Sequence, residues 1–309
     1  MSEQQRKLAM FPGQGSQYVG MGKQLLEQFP YTKRLFEEAE DATKVSIRRL
    51  CLEGPEDQLK LTANTQPCIV TVSVATWQVL TQEKGIKADL YAGHSLGEYS
   101  CLVAAGRLDF PTAVRLVRQR GLAMQKAVPE GVGAMSAVMS CAPELLEGFC
   151  AEVTTMDDPV EVVNYNSPAQ LVVAGSATAV TKLESLLQEK SFKFIRLPVS
   201  APFHSKLMAP ARIEMTPLLS QTKFTQTSNP VIPNLSAEIV TDYGADYLIK
   251  QIDSPVKWIQ TVQMANMAGA GEFLEVGPGR VLVGLAKRIL PKGEWKIAST
   301  DDIGAYLKS

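Results

Sequence analysis

The chain has 309 residues, 45% hydrophobic and 20% charged, the balance of a folded globular protein with a large core. Its 31 basic residues against 32 acidic ones leave a net charge of −1, so bulk charge draws it to neither nucleic acid nor an anionic membrane. Five scattered cysteines (Cys51, Cys68, Cys101, Cys141, Cys150) include no CxxC pair, which argues against a disulfide framework and for reduced thiols in the cytoplasm. The first residues, MSEQQRKLAMFPGQGSQ, lack the apolar core of a signal peptide. No window approaches the roughly 18 uninterrupted apolar residues of a membrane span.

Apolar runs of β type alternate with helical stretches, which predicts an α/β fold. Lys7–Phe11 reads as a first strand ending at Pro12-Gly13, and a polar helical region follows to about Lys60. Gln66–Lys84 is apolar on every side, as a buried helix would be. Asp89–Ala92 reads as a short strand, and a helix runs from about Leu96 to Ala105. The rhythm changes from about Ala134. Strands at Met135–Ser140, Val160–Asn164, Gln170–Ala174 and Phe192–Val199 enclose helices at Pro143–Glu152 and Thr178–Lys190. That order is βαββαβ, the ferredoxin-like split motif, and predicts a small domain over 131–200 inserted into a large one of 1–130 and 201–309. A last strand, Gly271–Val276, runs into Gly277-Pro278-Gly279.

Gly93-His94-Ser95-Leu96-Gly97 lies between a strand and a helix, the context of a nucleophile elbow. At ordinary glycine and serine frequencies GxSxG arises by chance in about one such chain in ten, so the context carries the reading. The alternative is a glycine-rich turn with a capping serine. A serine nucleophile needs a base, and the sequence holds only two histidines, His94 and His204. His94 adjoins the serine and points away from it, so packing or hydrogen bonding beneath the elbow is expected of it. His204, in Ser200-Ala-Pro-Phe-His-Ser205 at the junction between the two domains, is then the base by elimination.

On a helical wheel of Ala113–Ala127, one stripe holds Ala113, Leu116, Val117, Met124 and Ala127. Arg120 falls inside this stripe, while Leu122 lies on the polar face with Arg115, Arg118 and Gln119. An inward arginine requires an anion or several acceptors. A structural salt bridge and a ligand carboxylate, which the planar guanidinium binds bidentately, both satisfy that requirement.

Seven segments occur in order from Phe11 to Ile289: FPGQGSQYVGMG, GHSLGEYSCLVAAG, RGLAMQKAVPEGVGAM, VVNYNSPAQLVVAG, APFHS, DSPVKW and FLEVGPGRVLVGLAKRI. In them the chain resembles the malonyl-CoA:acyl carrier protein transacylases, including the acyltransferase domains of polyketide and fatty acid synthases. The resemblance implies a large α/β-hydrolase-like domain with a short parallel sheet, carrying the ferredoxin-like insert. It implies Ser95 as the acylated nucleophile, His204 as its base, and the backbone N–H groups of Gln14 and Leu96 as the oxyanion hole. Arg120 would clamp the malonyl carboxylate, and Gln251 would orient the histidine through its main-chain carbonyl in place of a third acidic residue. Phe203 resembles the aromatic marker of malonyl-selective members, and Asn166 the small-domain asparagine that lines the pocket.

The expected activity is transfer of malonyl from malonyl-CoA to the phosphopantetheine thiol of acyl carrier protein, by ping-pong kinetics through a malonyl-serine. Neither metal nor cofactor is expected beyond the coenzyme A thioester substrate, and the simplest assembly is a monomer. A discrete acyltransferase of a polyketide assembly line shares these motifs. A serine thioesterase or acyl hydrolase could use the same elbow and release free acid, and a carrier-binding scaffold with a relic site would form no acyl-serine. Arg280, Lys287 and Arg288 offer a basic face to an acidic carrier helix or to solvent alone.

Overall fold

Leu8, Ala9, Met10 and Phe11 form a run without a polar residue, and all four are fully buried. Such a run marks a strand covered on both faces. In this computed structural model, which describes residues 5–199 and 201–308, the run belongs to a strand at the middle of a sheet. The strands are β1 (Arg6–Phe11), β2 (Leu90–Gly93), β3 (Gly133–Met139), β4 (Val160–Ser167), β5 (Gln170–Ser176), β6 (Lys193–Arg196), β7 (Ala270–Glu275) and β8 (Lys296–Ser299).

β2, β1, β7 and β8 form one sheet in that order, with every neighbouring pair parallel. The side chains of β1 divide between two cores. Ala9 and Phe11 belong to a cluster with Phe36, Ile69 and Tyr99, and Leu8 and Met10 to one with Trp258, Phe273 and Leu282. Parallel neighbours require long crossovers, and helices supply them. The largest, Thr62–Lys84, starts four residues before the expected Gln66 and is buried almost throughout its first half. Two of its buried hydroxyls are satisfied within the helix: Thr71 and Thr76 donate to the carbonyls of Pro67 and Val72.

The second sheet is antiparallel, in the order β4-β5-β3-β6. With helices Pro143–Val153 and Ala177–Glu189 the elements fall in the order strand, helix, strand, strand, helix, strand. Alternation along β3 gives this sheet two apolar faces. Ala134 and Val138 belong to a core with Leu146, Leu183 and Leu187 of the two helices, whereas Met135 and Ala137 cluster with Val163 and Val172, with Phe203 packed against them. This second face closes over the end of β2. Tyr165 and Val256 join the two parts of the molecule, Tyr165 N–H donating to Val256 O and Val256 N–H to Val163 O, both at 2.9 Å.

The last strand of this sheet is shorter than the expected Phe192–Val199. Leu197 N–H still donates to Met135 O at 2.9 Å, but Pro198 has no N–H and the ladder stops there. Ser200, expected as the last residue of the insert, lies outside the described residues, as do 1–4 and 309. Among the described residues no helix is long and apolar enough to cross a membrane.

Candidate active site

β2 ends at Gly93 and the next helix begins at Gly97, leaving three residues to reverse the chain. The turn puts Ser95 at φ +51°, a left-handed conformation that costs an L-residue about 1–2 kcal/mol. Both flanking glycines are sterically required. A Cβ on Gly93 would come within 2.0 Å of the Gly97 carbonyl carbon, and one on Gly97 within 2.1 Å of Phe11 O. These neighbours are backbone atoms and cannot step aside. Hydrogen bonds hold the strained residue from both sides: Ser95 N–H donates to Asn234 Oδ1 at 2.7 Å, and Gln251 Nε2 donates to Ser95 O at 3.1 Å. Asn234 Nδ2 also donates to Gly93 O.

Ser95 Oγ lies 2.7 Å from His204 Nε2, and His204 Nδ1 lies 2.9 Å from the main-chain oxygen of Gln251. A carbonyl oxygen only accepts, so Nδ1 carries the proton and Nε2 turns its lone pair to the serine hydroxyl. His204 is 3% exposed. Burial first, and then the charge of Arg120, hold its pKa down to about 3, so the ring is neutral. His94 points elsewhere. Its Nε2 is 2.8 Å from Asn166 Oδ1, and its ring lies 5.5 Å from that of Trp258.

Arg120 comes from the helix Phe110–Lys126, which crosses the helix Thr62–Lys84 at Gly121; a Cβ there would meet Ala63 Cα at 2.7 Å. The close crossing brings Arg120, 1% exposed, against Gln66. Nη1 donates to Gln66 Oε1 at 3.0 Å, and Nη2 to Gln251 Oε1 at 3.0 Å and to Ser95 Oγ at 3.2 Å. Every acceptor is neutral. Among the described residues no carboxylate is within salt-bridge distance of this guanidinium, and its Nε has no partner. The structural salt bridge left open by the helical wheel is therefore absent from this site. No anion touches this buried cation directly, and the charge of Glu98 reaches it only across Gln251.

The three side chains open onto a cavity of about 180 Å³. Gln14 and Leu96 line it on one side, and Met135, Val172 and Leu197 of the antiparallel sheet cover the other. Among the described residues neither Gln14 N–H nor Leu96 N–H has an acceptor, so both are available to a ligand oxygen. Phe203 is a half-buried part of the wall. Asn166 also lines the cavity, with its amide held between His94 and Gln170. Arg280, Lys287 and Arg288 are exposed and outside the cavity lining. No group of His, Cys, Asp or Glu among the described residues has the grouping of a metal site.

Three polar residues at the site were not singled out from the sequence. Gln66 and Asn234 carry no local signal. Glu98 did carry one, as the only charged residue in the helix GEYSCLVA, where it is 0% exposed.

A half-buried hydroxyl on a strained turn, a neutral histidine aimed at it and two N–H groups without acceptors are the parts that acyl transfer through a serine requires. The family described as acyl transferase domain matches residues 10–299, and the chain belongs to it. The malonyl CoA-acyl carrier protein transacylase of Bacillus subtilis (strain 168) is 43% identical over 283 residues, covering 91% of this chain and 89% of the relative. The crystal structure of FabD from Acinetobacter baumannii superposes with a TM-score of 0.93 at 41% identity, covering 98% of each chain. A malonyl-transacylase solved in complex with a type II PKS acyl-carrier protein superposes with a TM-score of 0.89 at 39% identity, covering 96% of this chain and 95% of its own.

Proposed function

We propose that the protein transfers the malonyl group of malonyl-CoA to the phosphopantetheine thiol of an acyl carrier protein, through an ester on Ser95. One observation carries the reading: Ser95 Oγ is within hydrogen-bond distance of both His204 Nε2 (2.7 Å) and Arg120 Nη2 (3.2 Å). The first makes it a nucleophile. The second sets a carboxylate-binding group one short acyl chain away.

His204 Nε2 takes the hydroxyl proton as Oγ bonds to the thioester carbonyl carbon. The oxyanion accepts from Gln14 and Leu96 N–H, donors worth about 3 kcal/mol each where such groups have been removed. Gln251 O stabilises the imidazolium through Nδ1–H, the part an acidic residue plays in a triad. The intermediate expels coenzyme A, whose sulfur takes the proton back from His204, leaving malonyl-Ser95. The carrier thiol then reacts by the reverse sequence, which gives ping-pong kinetics. Arg120 binds the malonyl carboxylate bidentately, while Phe203 and Asn166 bound the acyl pocket.

We read the antiparallel unit as a ferredoxin-like domain of residues 131–200 set into an α/β-hydrolase-like catalytic domain of 1–130 and 201–309. Its sheet order and separate core support that division. Five unpaired, buried cysteines support a cytoplasmic setting. The experiment is a transfer assay pairing several carrier proteins with malonyl-, methylmalonyl- and acetyl-CoA. Malonyl-carrier protein is the expected product. Free malonate released at the same rate, with the carrier left unloaded, would assign a hydrolase instead.

A further inference from the structure

Two amides hold the strained serine, and both lead to one buried carboxylate. Asn234 binds Ser95 N–H and Gly93 O, and Gln251 binds Ser95 O. Glu98 Oε2 accepts from the Asn234 main-chain N–H at 3.1 Å and from Gln251 Nε2 at 2.7 Å, while Oε1 accepts from Tyr243 Oη at 2.5 Å. Oε2 already accepts from a main-chain N–H, so it meets Gln251 as an acceptor and fixes which end of that amide is which. With Nε2 turned to Glu98 and Ser95 O, Oε1 must face Arg120, which it meets at 3.0 Å. Reversed, that amide would set N–H groups against a guanidinium. Burial pushes the Glu98 carboxyl pKa up, while the three donors and Arg120 oppose the shift.

We propose that Glu98 is a positioning residue for acyl transfer, orienting Gln251 so that Arg120 stays aimed at the acyl group and Ser95 stays fixed in its turn. The inference rests on the reading of Ser95 and Arg120 above. It also explains a charged residue in an apolar helix directly after the elbow. Glu98 touches neither Ser95 Oγ nor Arg120; it acts through two amides.

The test compares kcat/KM for malonyl-CoA with that for acetyl-CoA, and the rate at which a neutral fluorophosphonate labels Ser95, in folded full-length variants. Glu98→Leu removes the acceptor and is expected to lower the malonyl-to-acetyl ratio about tenfold or more and to slow labelling. Glu98→Gln can keep an oxygen on Asn234 and Gln251 while its NH2 meets the tyrosine hydroxyl, and should keep most of the ratio. Glu98→Leu combined with Gln251→Met should be no worse in this ratio than Gln251→Met alone, because the two act in series. If Glu98→Leu does not fold, Glu98→Asp, which withdraws the carboxylate by one methylene, carries the comparison and should also lower the ratio. An unchanged ratio in the tested Leu or Asp variant, additive losses in the double variant, or a Gln variant as damaged as the Leu one would overturn the inference. A wild-type protein unlabelled at Ser95, or without malonyl preference, would instead overturn the reading beneath it.

Discussion

Replacing Arg120 with alanine separates substrate selectivity from general damage. In the free protein the guanidinium donates to three neutral oxygens at 3.0–3.2 Å and is 1% exposed. A malonyl carboxylate bound there would accept two charge-assisted bonds of about 1.5–3 kcal/mol each. Their loss amounts to about 3–6 kcal/mol, or roughly 10²- to 10⁴-fold in kcat/KM for malonyl-CoA. Acetyl-CoA has no carboxylate to lose, and in the wild-type protein it leaves the buried cation unpartnered. Other consequences strike both donors alike: Gln66 Oε1 and Gln251 Oε1 lose their partner, and removing a nearby positive charge lets the His204 pKa rise. They cancel in the ratio of the two specificity constants. The assay is therefore that ratio, from initial rates with each thioester and one carrier protein, before and after Arg120→Ala. It should fall by about 10²-fold or more. A malonyl preference that survives unchanged refutes Arg120 as the carboxylate clamp.

Gly97→Ala places a methyl group 2.1 Å from Phe11 O and 2.8 Å from Pro12 O, so denaturant unfolding should show a loss of about 3 kcal/mol or more; a loss under about 1 kcal/mol would mean the elbow can shift. The pKa of His204 lies below its value of 6.5 in an unfolded chain, so the folded state resists a proton that the unfolded state accepts. This residue's share of stability is complete above pH 6.5 and is lost by about 1.4 kcal/mol per unit as pH falls from there toward 3. His204→Gln should flatten the stability profile between those limits, and an unflattened profile would remove the buried neutral histidine. For the same reason the acidic limb of kcat/KM should lie well below pH 6.5, and a limb at 6.5 or above would contradict a base held neutral by burial.

The parts of the site written in local pattern were readable in the sequence. Arg120 stood out because a period of 3.6 residues put it among Val117 and Met124, and Leu122, which the same wheel turned outward, is 40% exposed. The elbow showed because only glycine fits on either side of Ser95. His204 was reached by counting, since one other histidine existed. The polar frame beneath them was not readable. Asn234, Tyr243 and Gln251 meet Glu98 across 136 to 153 residues of chain, and no periodicity records a contact of that kind. The sheet order was hidden for the same reason: β1 pairs with β2, 82 residues on from Leu8, and with β7, nearer the far end of the chain. The edge strand β8, four residues long and only half-buried, has too little apolar pattern to announce itself. Family resemblance reached residues that pattern could not, among them Gln14 and Gln251, because it carries long-range geometry in short motifs.

Mixing the protein with malonyl-CoA in the absence of carrier protein, then measuring intact mass and mapping the labelled peptide, tests the account most directly. One malonyl group per chain, on the peptide containing Ser95, is the expected result, and Ser95→Ala should carry none. A wild-type chain that turns over malonyl-CoA while its label sits on another peptide, or on none, would contradict the acyl-serine mechanism.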